Sequence, residues 1–308
     1  MRALVVLKLS KWERDLTEYG SVEAVQELYR AQNNAYDKVY SSHVRQTEAR
    51  DALRTALPRA SFIQRDELPD LDLSRFDCVI SLGGDNFFIF VSCYLEPDMP
   101  LLGINSDPWT SQGALLYFTA REFADRLLAG ETRMVTEEWT RISCELEYLD
   151  GRKIKAPPSA SEISFQNRFP DHVSRYLIRR NEEEWEEQKS SGLLFSTGAG
   201  STGWFRNCHW GHKQNDAVFP KDAPCFRFIA RELSATKKYR YQLSQCETGD
   251  VVELISEMDG TVSIDTHPEF TYEFPAGCRA RIRISESSLK VVRDLALPAI
   301  GPPEITST

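Results

Sequence analysis

The sequence predicts an α/β domain followed by an all-β domain. A Rossmann-like, doubly wound α/β domain is expected over residues 1–130, an antiparallel β-sandwich-like domain over 131–293, and a Pro-rich tail over 294–308. Two observations lead to this division. Up to residue 130, apolar runs typical of buried parallel strands alternate with helical stretches. Beyond it, strands with period-2 alternation follow one another with little helical signal between them.

In the first domain, each predicted strand is followed by a helical or polar stretch. Ser21 is a typical N-cap for the helix that follows it, and Gly130 is a typical residue to end another. The first domain is therefore predicted to contain strands over 3–9, 60–64, 78–82 and 100–104, and helices over 21–33, 36–57, 86–94 and 120–129.

In the second domain, turn signals separate short alternating strands. Asp150 and Gly151 form a hairpin signal, and the charge run 181–187 is typical of a solvated hairpin tip. One helix is indicated, around residues 201–207. The predicted strands cover 141–149, 152–155, 161–165, 176–180, 193–196, 251–258, 262–265, 271–274, 279–284 and 289–293.

Composition limits the classes of function. The chain has 308 residues and a formal net charge of −9, which disfavours binding to nucleic acid and to anionic membranes. No apolar run approaches the ~20 residues of a membrane-spanning helix. The 7 cysteines are odd in number and lack a C-x-x-C pair, so free thiols in a reducing cytoplasm are expected.

The stretch from Asp77 to Asp85 is the centre of the first domain. Its apolar run reads as a strand buried on both faces, and it stops at Gly83 and Gly84 before an apolar helix begins. Glycines let the backbone approach a ligand closely, and the amides that open a helix favour an anion such as phosphate. Asp85 places a carboxylate at the sheet edge where open α/β sheets bind ligands.

Two further segments also run from an apolar strand into small or acidic residues. One is 102–107, which contains Asn105 and Asp107. The other is 193–204, in which eight residues in a row are Gly, Ala, Ser or Thr before Trp204, whose flat face could meet a base. An ordinary Gly/Ser surface loop is the alternative for the last segment.

Together and in this order, the segments resemble the motifs of the NAD kinase family. That family has Gly-Gly-Asp-Gly-Thr after a strand, a Gly-Ile/Val-Asn strand end, an Asn-Glu/Asp pair, a Ser/Thr/Gly-rich loop and a late Asp-Gly. Segments 105–108 and 186–193 are most similar to the mitochondrial-type branch. The resemblance covers residues 4 to 292 and weakens between 207 and 224. The matching residues are 83–87, 103–105, 161–162, 196–204 and 259–260.

The resemblance implies the NAD kinase fold and transfer of a phosphoryl group to the 2′-hydroxyl of the adenosine ribose of NAD, giving NADP. The donor is expected to be ATP with Mg²⁺, with polyphosphate left open. A ribose hydroxyl is a poor nucleophile, so Asp85 is the expected catalytic residue that orients it and takes its proton. A homodimer is implied because neighbouring subunits in the family can complete the pocket.

The resemblance also implies a set of binding residues. Glu162 would accept hydrogen bonds from ribose hydroxyls, Thr202 would hydrogen-bond the adenine, and Trp204 would stack on it. No side chain is assigned as a metal ligand. The expected binding residues are Gly83, Gly84, Asn86, Asn105, Asp107, Ser161, Glu162, Ser191, Thr197, Ser201, Thr202, Gly203 and Trp204.

Four of these motif positions depart from the family pattern. Asn86 replaces a glycine, where a left-handed backbone is expected that Asn tolerates well. Phe87 replaces a threonine, and Ser161 replaces an asparagine. Ser191 stands where many members have aspartate, although the mitochondrial branch also shows serine. These changes leave open a kinase of the same fold acting on another hydroxyl, or a non-catalytic NAD(P)-binding protein.

Single residues have simpler alternatives too. Asp85 could only cap the following helix, and Glu162 could be an exposed strand residue. Cys208, His209 and His212 suggest zinc, but a second cluster of ligands at suitable spacing is lacking, which argues against a structural zinc site.

Overall fold

A computed structural model of the chain describes residues 2–209, 217–234 and 238–295. The chain forms two compact units. The first contains the residues up to Glu137 and those from Lys290 onward, and the second contains Glu138–Leu289. The predicted boundaries were 130/131 and 293/294. They differ because the segments around Met134 and Lys290 form strands of the first unit's sheet. Residues 296–308 of the predicted tail lie outside the described residues.

The first unit is organised around a largely parallel sheet. Elements are numbered in chain order, and the strands of this sheet are Ala3–Leu7 (β1), Ser61–Gln64 (β2), Cys78–Gly83 (β3), Leu101–Asn105 (β4), Phe118–Thr119 (β5), Met134–Trp139 (β6) and Leu289–Asp294 (β19). Their order is β2-β1-β3-β4-β19-β6, with β5 beside β4. The pairs β1–β3, β3–β4 and β4–β19 are parallel. Gly83 and Asn105 are register partners at the carboxyl ends of β3 and β4.

The helices of this unit begin and end at recognisable signals. Ser21 caps one helix and Gly130 ends another in a left-handed conformation, as predicted. One helix was missed, although Ser10 and Glu13 form a capping box at its start. The helices are Lys11–Tyr19 (α1), Val22–Ala31 (α2), Tyr36–Ala56 (α3), Asp85–Ser92 (α4) and Ala120–Ala129 (α5), with short 3₁₀ segments at Arg65–Asp70 and Leu73–Arg75.

The second unit contains two six-stranded sheets. Its elements are Ile142–Glu147 (β7), Lys153–Lys155 (β8), Glu162–Asn167 (β9), Ser174–Arg180 (β10), Glu186–Ser190 (β11), Leu193–Ser196 (β12), Trp204–His209 (α6), Cys225–Ala230 (β13), Leu243–Glu247 (β14), Val252–Ser256 (β15), Gly260–Ile264 (β16), Thr271–Phe274 (β17) and Arg279–Ile284 (β18), with short 3₁₀ segments at Gly200–Thr202 and Pro268–Phe270. The orders are β11-β10-β15-β18-β7-β8 and β14-β13-β12-β9-β16-β17.

One hydrophobic core draws side chains from both of these sheets. Ile142 and Tyr176 come from the first, and Phe165, Phe195 and Phe228 come from the second. The predicted antiparallel sandwich is therefore confirmed, and β10 and β11 form the predicted hairpin. The bounds of β11, which begins at Glu186 inside the expected hairpin tip, were not predicted, and strands β13 and β14 were missed.

None of the seven cysteines forms a disulfide bond. Over the described ranges, no helix is both long enough and apolar enough to cross a membrane.

Candidate active site

The glycine turn at the end of β3 is shaped by close packing. A Cβ on Gly83 would lie 2.6 Å from Cδ1 of Phe87, and one on Gly84 would lie 2.8 Å from Oγ of Ser111. Gly84 is the N-cap of α4, with φ −99°. A side chain at Gly83 would therefore collide with Phe87 of the following helix, and one at Gly84 would require the Ser111 side chain to move.

Asp85 is the first residue of α4, and its half-buried carboxylate points to that loop. The amide of Ala114 donates to Oδ2 at 3.0 Å, and the amide of Leu115 donates to Oδ1 at 2.9 Å. These amides belong to the loop, so the proposed role as a simple helix cap does not describe Asp85. A carboxylate has about four acceptor sites. Two donors therefore fix its orientation and leave capacity for a reacting hydroxyl.

One expectation for the residues after Asp85 needs correction. Asn86 lies inside α4 and is absent from the residues with positive φ, so the left-handed backbone expected there is wrong. Its side chain is exposed. Phe87 is only 5% exposed and packs against Phe90, so it supports the glycine turn from beneath.

Asn105 and Asp107 hold the loop after β4 in place. The Asn105 side chain donates to the Ser111 carbonyl at 2.9 Å and accepts from the Asp107 amide at 3.0 Å. Asp107 is 3% exposed and accepts from Nε of Arg45 at 2.7 Å and from the Ser42 hydroxyl at 2.6 Å. Burial alone would raise the pKa of Asp107, but these donors bring it below its ordinary value. These polar atoms support the loop that carries the amides bound to Asp85.

Positive charge collects at the carboxyl end of β1. Lys8 follows that strand directly, and burial lowers the pKa of its ammonium, with Arg14 and Arg65 acting in the same direction and Asp107 in the opposite one. Arg14 and Arg65 therefore each lie within electrostatic reach of Lys8. Sequence reasoning assigned Lys8 no role, although a lysine directly after a buried parallel strand is a usable signal for an anion site.

In the second unit, the Gly/Ser/Thr loop after β12 is a buried structure and not a surface loop. The Thr197 hydroxyl donates to the Ala160 carbonyl at 2.7 Å, and the Ser201 hydroxyl donates to the Gly198 carbonyl at 2.6 Å. Both residues are fully buried. The Thr202 hydroxyl donates to the Ala199 carbonyl at 3.2 Å. Most of the hydroxyls that were expected to bind a ligand therefore donate to backbone carbonyls and stabilise the loop.

Gly200 brings this loop against Glu162. A Cβ on Gly200 would lie 2.7 Å from Oε2 of Glu162 and would also collide with the Ser161 carbonyl. Gly198 is likewise closed off by the Pro220 carbonyl. The glycine spacing seen in the sequence is therefore explained by the close approach of the loop to the start of β9. Gly203, in contrast, is exposed.

Glu162 is the first residue of β9 and lies opposite Ser196 of β12. It is 9% exposed, so the alternative of an exposed strand residue is wrong. Burial raises the pKa of Glu162 to about 7, while a hydrogen bond from the Ser161 hydroxyl lowers it and the charge of Asp265 raises it. A carboxyl group with this pKa can change its protonation state near neutral pH.

Asp265 is a site residue that sequence reasoning missed. Its carboxylate accepts from the Ser159 hydroxyl at 2.6 Å, and from the amides of Ala160 at 3.1 Å, Ser161 at 2.9 Å and Glu162 at 2.9 Å. Burial raises the pKa of Asp265, and these four donors oppose that effect. An acidic residue directly after the alternating strand β16 was the available signal.

Asp259 was matched in the sequence to the family's late Asp-Gly, but it lies at the surface and not with Glu162 and Asp265. It forms a surface ion pair with Arg168 at 3.2 Å. Gly260 follows as the first residue of β16, where a Cβ would lie 3.0 Å from the carbonyl oxygens of Gln166 and Phe274. The pair is therefore explained by surface charge and strand packing.

Trp204 begins α6, and the Arg231 guanidinium lies 4.9 Å from the centre of its ring. One face of the indole is thus covered, and a base could stack only on the other. Burial raises the pKa of the nearby Cys208 thiol. The charges of Arg231, Glu232 and Glu162 also act on this thiol, which places the three groups in one neighbourhood. Arg231 and Glu232 were missed from the sequence.

The structure contains no grouping of three His, Cys, Asp or Glu side chains suited to a metal ion within its described ranges. His209 is buried in α6, and His212 of the suggested zinc motif lies outside those ranges.

No family model matches the sequence. The chain is 24% identical over 258 residues to the human protein "NAD kinase 2, mitochondrial". The matched region covers 67% of this chain and 57% of the human protein. The chain thus spans less than two thirds of that relative's length.

Two solved structures are similar to the structure of this chain. One is an NAD kinase from Archaeoglobus fulgidus in complex with ATP, with a TM-score of 0.62, 18% identity, and coverage of 96% of this chain and 94% of that one. The other is yeast NADH kinase complexed with NADH, with a TM-score of 0.67, 13% identity, and coverage of 96% and 84%. These likenesses establish the fold.

Proposed function

We propose that this chain is a member of the NAD kinase family and transfers the γ-phosphoryl group of ATP to the 2′-hydroxyl of the adenosine ribose of NAD. The observation that carries this proposal is the setting of Asp85. Its carboxylate lies at the carboxyl end of β3, is oriented by the amides of Ala114 and Leu115, and keeps free acceptor capacity.

In the proposed reaction, Asp85 accepts the proton of the 2′-hydroxyl as the hydroxyl oxygen attacks the γ-phosphorus. The bond between the γ-phosphorus and the bridging oxygen breaks, and ADP leaves. Catalysis of phosphoryl transfer depends mostly on positioning and charge neutralisation. The fixed orientation of Asp85 supplies the positioning, and Lys8 and the α4 amides are the groups in the first unit suited to the donor phosphates.

We assign NAD binding to residues of the second unit. Glu162 is the candidate partner of ribose hydroxyls, because a carboxylate accepts hydrogen bonds from neighbouring diol hydroxyls. The open face of Trp204 is the candidate contact for the adenine. Thr197 and Ser201 act indirectly, by holding the loop in the shape that brings Gly200 to Glu162.

Mg²⁺ is proposed to arrive with ATP. This ion is often held by one or two carboxylates together with substrate phosphates and waters, without a full set of protein ligands. Asp85, which directly follows the glycine turn, is the candidate carboxylate. When bound, Mg²⁺ would neutralise charge on the donor phosphates.

The decisive experiment measures NADP formed from NAD, ATP and Mg²⁺ by the purified protein and by Asp85→Asn. We expect the variant to lose about 10²–10⁴-fold in kcat, with NAD affinity by calorimetry within about twofold of the wild type. Asp98→Asn is the matched control, because Asp98 is 81% exposed on the surface of the same unit.

Three other outcomes would change the conclusion. NAD binding without NADP formation would point to a non-catalytic NAD(P)-binding protein. Phosphorylation of a different hydroxyl compound would point to another kinase of this fold. Equal activity in the wild type and Asp85→Asn would remove Asp85 from the mechanism.

The assembly and location of the protein are also proposals. A homodimer in the cytoplasm is expected, with polyphosphate as a possible second donor. Light scattering of the purified protein measures its oligomeric state. Replacing ATP by polyphosphate in the NADP assay tests the second donor. The mitochondrial name of the human relative makes imaging of the tagged protein the test of location.

A further inference from the structure

Backbone strain in the second unit occurs next to the candidate NAD site. Six non-glycine residues have positive φ in the described part of the chain, and four of them are Asn or Asp, which tolerate it. The other two are Glu232, with φ 48°, and Thr266, with φ 58°. Thr266 follows Asp265, and Glu232 follows Arg231. Unfavourable conformations of this kind persist when the surroundings impose them, and they cluster at ligand sites.

The turn that carries Glu232 is fixed to the residues between β11 and β12. The amide of Ser191 donates to the Arg231 carbonyl at 2.9 Å, and the amide of Arg231 donates to the Gly192 carbonyl at 2.8 Å. The Arg231 guanidinium donates to the Ser191 carbonyl at 2.6 Å and to Oε1 of Gln166 at 3.0 Å. A Cβ on Gly192 would lie 2.7 Å from that guanidinium. These hydrogen bonds and this close packing therefore fix the conformation of the turn.

This turn places the Arg231 guanidinium beside Trp204, and Glu232 is the next residue along the chain. The Arg231 guanidinium covers one face of the indole. The Glu232 carboxylate accepts a hydrogen bond from the Ser191 hydroxyl and is otherwise exposed to solvent. A carboxylate can only accept hydrogen bonds, and one hydroxyl leaves most of its acceptor capacity open. Glu232 is therefore suited to bind an N–H or O–H donor of a ligand that contacts Trp204.

We propose that Glu232 reads the base of the bound dinucleotide, its carboxylate accepting a hydrogen bond from the exocyclic amino group of adenine while Trp204 contacts the ring. This inference rests on the NAD binding in the proposed function. The adenine amino group is one of the two N–H donor groups of NAD, the other being the nicotinamide carboxamide. Adenine is assigned because Glu232 directly follows Arg231, whose guanidinium lies over the Trp204 ring, and an aromatic face suits a base.

The test compares the affinity for NAD with that for nicotinamide hypoxanthine dinucleotide, in which a carbonyl replaces the adenine amino group. We expect the wild type to bind NAD about tenfold to hundredfold more tightly, because the analogue leaves the Glu232 carboxylate facing another acceptor. Glu232→Gln should abolish or reverse the preference, since its amide can donate to the carbonyl. Glu257→Gln, at an exposed position of the same unit, should keep the wild-type preference.

A second variant separates recognition from folding. Glu232→Gly should lose the preference between the two dinucleotides and raise Tm, because glycine adopts positive φ without strain. Loss of the preference in a protein of equal or higher Tm would show that recognition, and not folding, depends on the carboxylate. A retained preference in Glu232→Gly or Glu232→Gln would overturn the proposal.

Parallel assays distinguish this proposal from the kinase proposal. If the preference for NAD over the hypoxanthine analogue depends on Glu232 but no NADP forms, adenine recognition by Glu232 is supported and the kinase function is contradicted. If NADP forms without any preference, only the role of Glu232 is overturned. If Glu232→Gln instead changes the preference between NAD and its 3-acetylpyridine analogue, which alters the carboxamide, the assignment to adenine is overturned. A wild type that binds no NAD contradicts both proposals.

Discussion

The amide of Glu162 donates a hydrogen bond to the Asp265 carboxylate at 2.9 Å, across 103 positions of sequence. The same carboxylate takes the amides of Ala160 and Ser161. The start of β9 is therefore shaped by one buried acid, and that start is where Glu162 enters the site.

Asp265→Asn should destabilise the protein by about 3 kcal/mol, because an amide cannot replace a buried carboxylate that accepts from four donors. NAD affinity should fall with it, since Glu162 loses its fixed position. Urea unfolding and calorimetry measure the two effects. Asp259→Asn is the control: its ion pair with Arg168 is at the surface, and a loss within about 0.5 kcal/mol is expected. Equal losses in both variants would contradict the role of Asp265.

Glu162→Gln should change how stability depends on pH. The folded protein raises the pKa of Glu162 from 4.5 to about 7 by burial, so the folded state holds this proton more tightly. The resulting stabilisation is complete below pH 4.5 and is lost as pH rises through 7. Relative to Glu162→Gln, which cannot ionise, the wild type should lose about 3 kcal/mol between pH 4 and pH 8.

Urea midpoints of both proteins across this pH range measure the difference. Glu257→Gln, at an exposed position, should follow the wild type throughout. A constant gap between Glu162→Gln and the wild type would show that Glu162 does not titrate in this range.

Arg45→Met should destabilise the first unit by about 3–5 kcal/mol, because it leaves the buried Asp107 carboxylate without its cation. NADP formation should fall as well, since Asp107 holds the loop whose amides orient Asp85. Arg54→Met on the same helix is the control, because its ion pair with Asp51 is exposed. Thermal unfolding and the NADP assay distinguish the two variants, and similar behaviour would remove Arg45 from this role.

Asn86→Gly should lower stability by a few tenths of a kcal/mol, because Asn86 lies in helix α4 and glycine is the poorer helix former. Asn33→Gly should be neutral or stabilising, because Asn33 has φ 50°. Unfolding free energies of the two variants give the comparison. If Asn86→Gly were stabilising instead, the result would support a left-handed backbone at position 86, as expected from the sequence.

Much of the fold was predictable because its signals are local. The helix Ala120–Ala129 and the strands Thr271–Phe274 and Arg279–Ile284 were predicted with the bounds observed. Strand Cys225–Ala230 was missed, although five of its six residues are buried. Its neighbours β12 and β14 are distant in sequence or were unpredicted themselves, and pairing with them defines the strand.

The residues of the candidate site likewise fall into those that local sequence signals predicted and those that they did not. Asp85, Glu162 and Trp204 were found because each stands at the end or start of a recognisable element. Arg231 and Glu232 were missed because they are ordinary polar residues in sequence, and only the contact of their turn with Ser191 and Trp204 gives them significance.

The sequence by itself determined the order of strands, glycine turns and polar segments, and with them the two kinds of domain, because periodicity and backbone freedom depend on neighbours along the chain. Only the tertiary structure decided which polar groups remain available. Asn105 and Asp107 are engaged in their own loop, and Asp265 rather than Asp259 supports Glu162. Hydrogen-bond partners are chosen by contacts between strands and loops that lie far apart in the sequence.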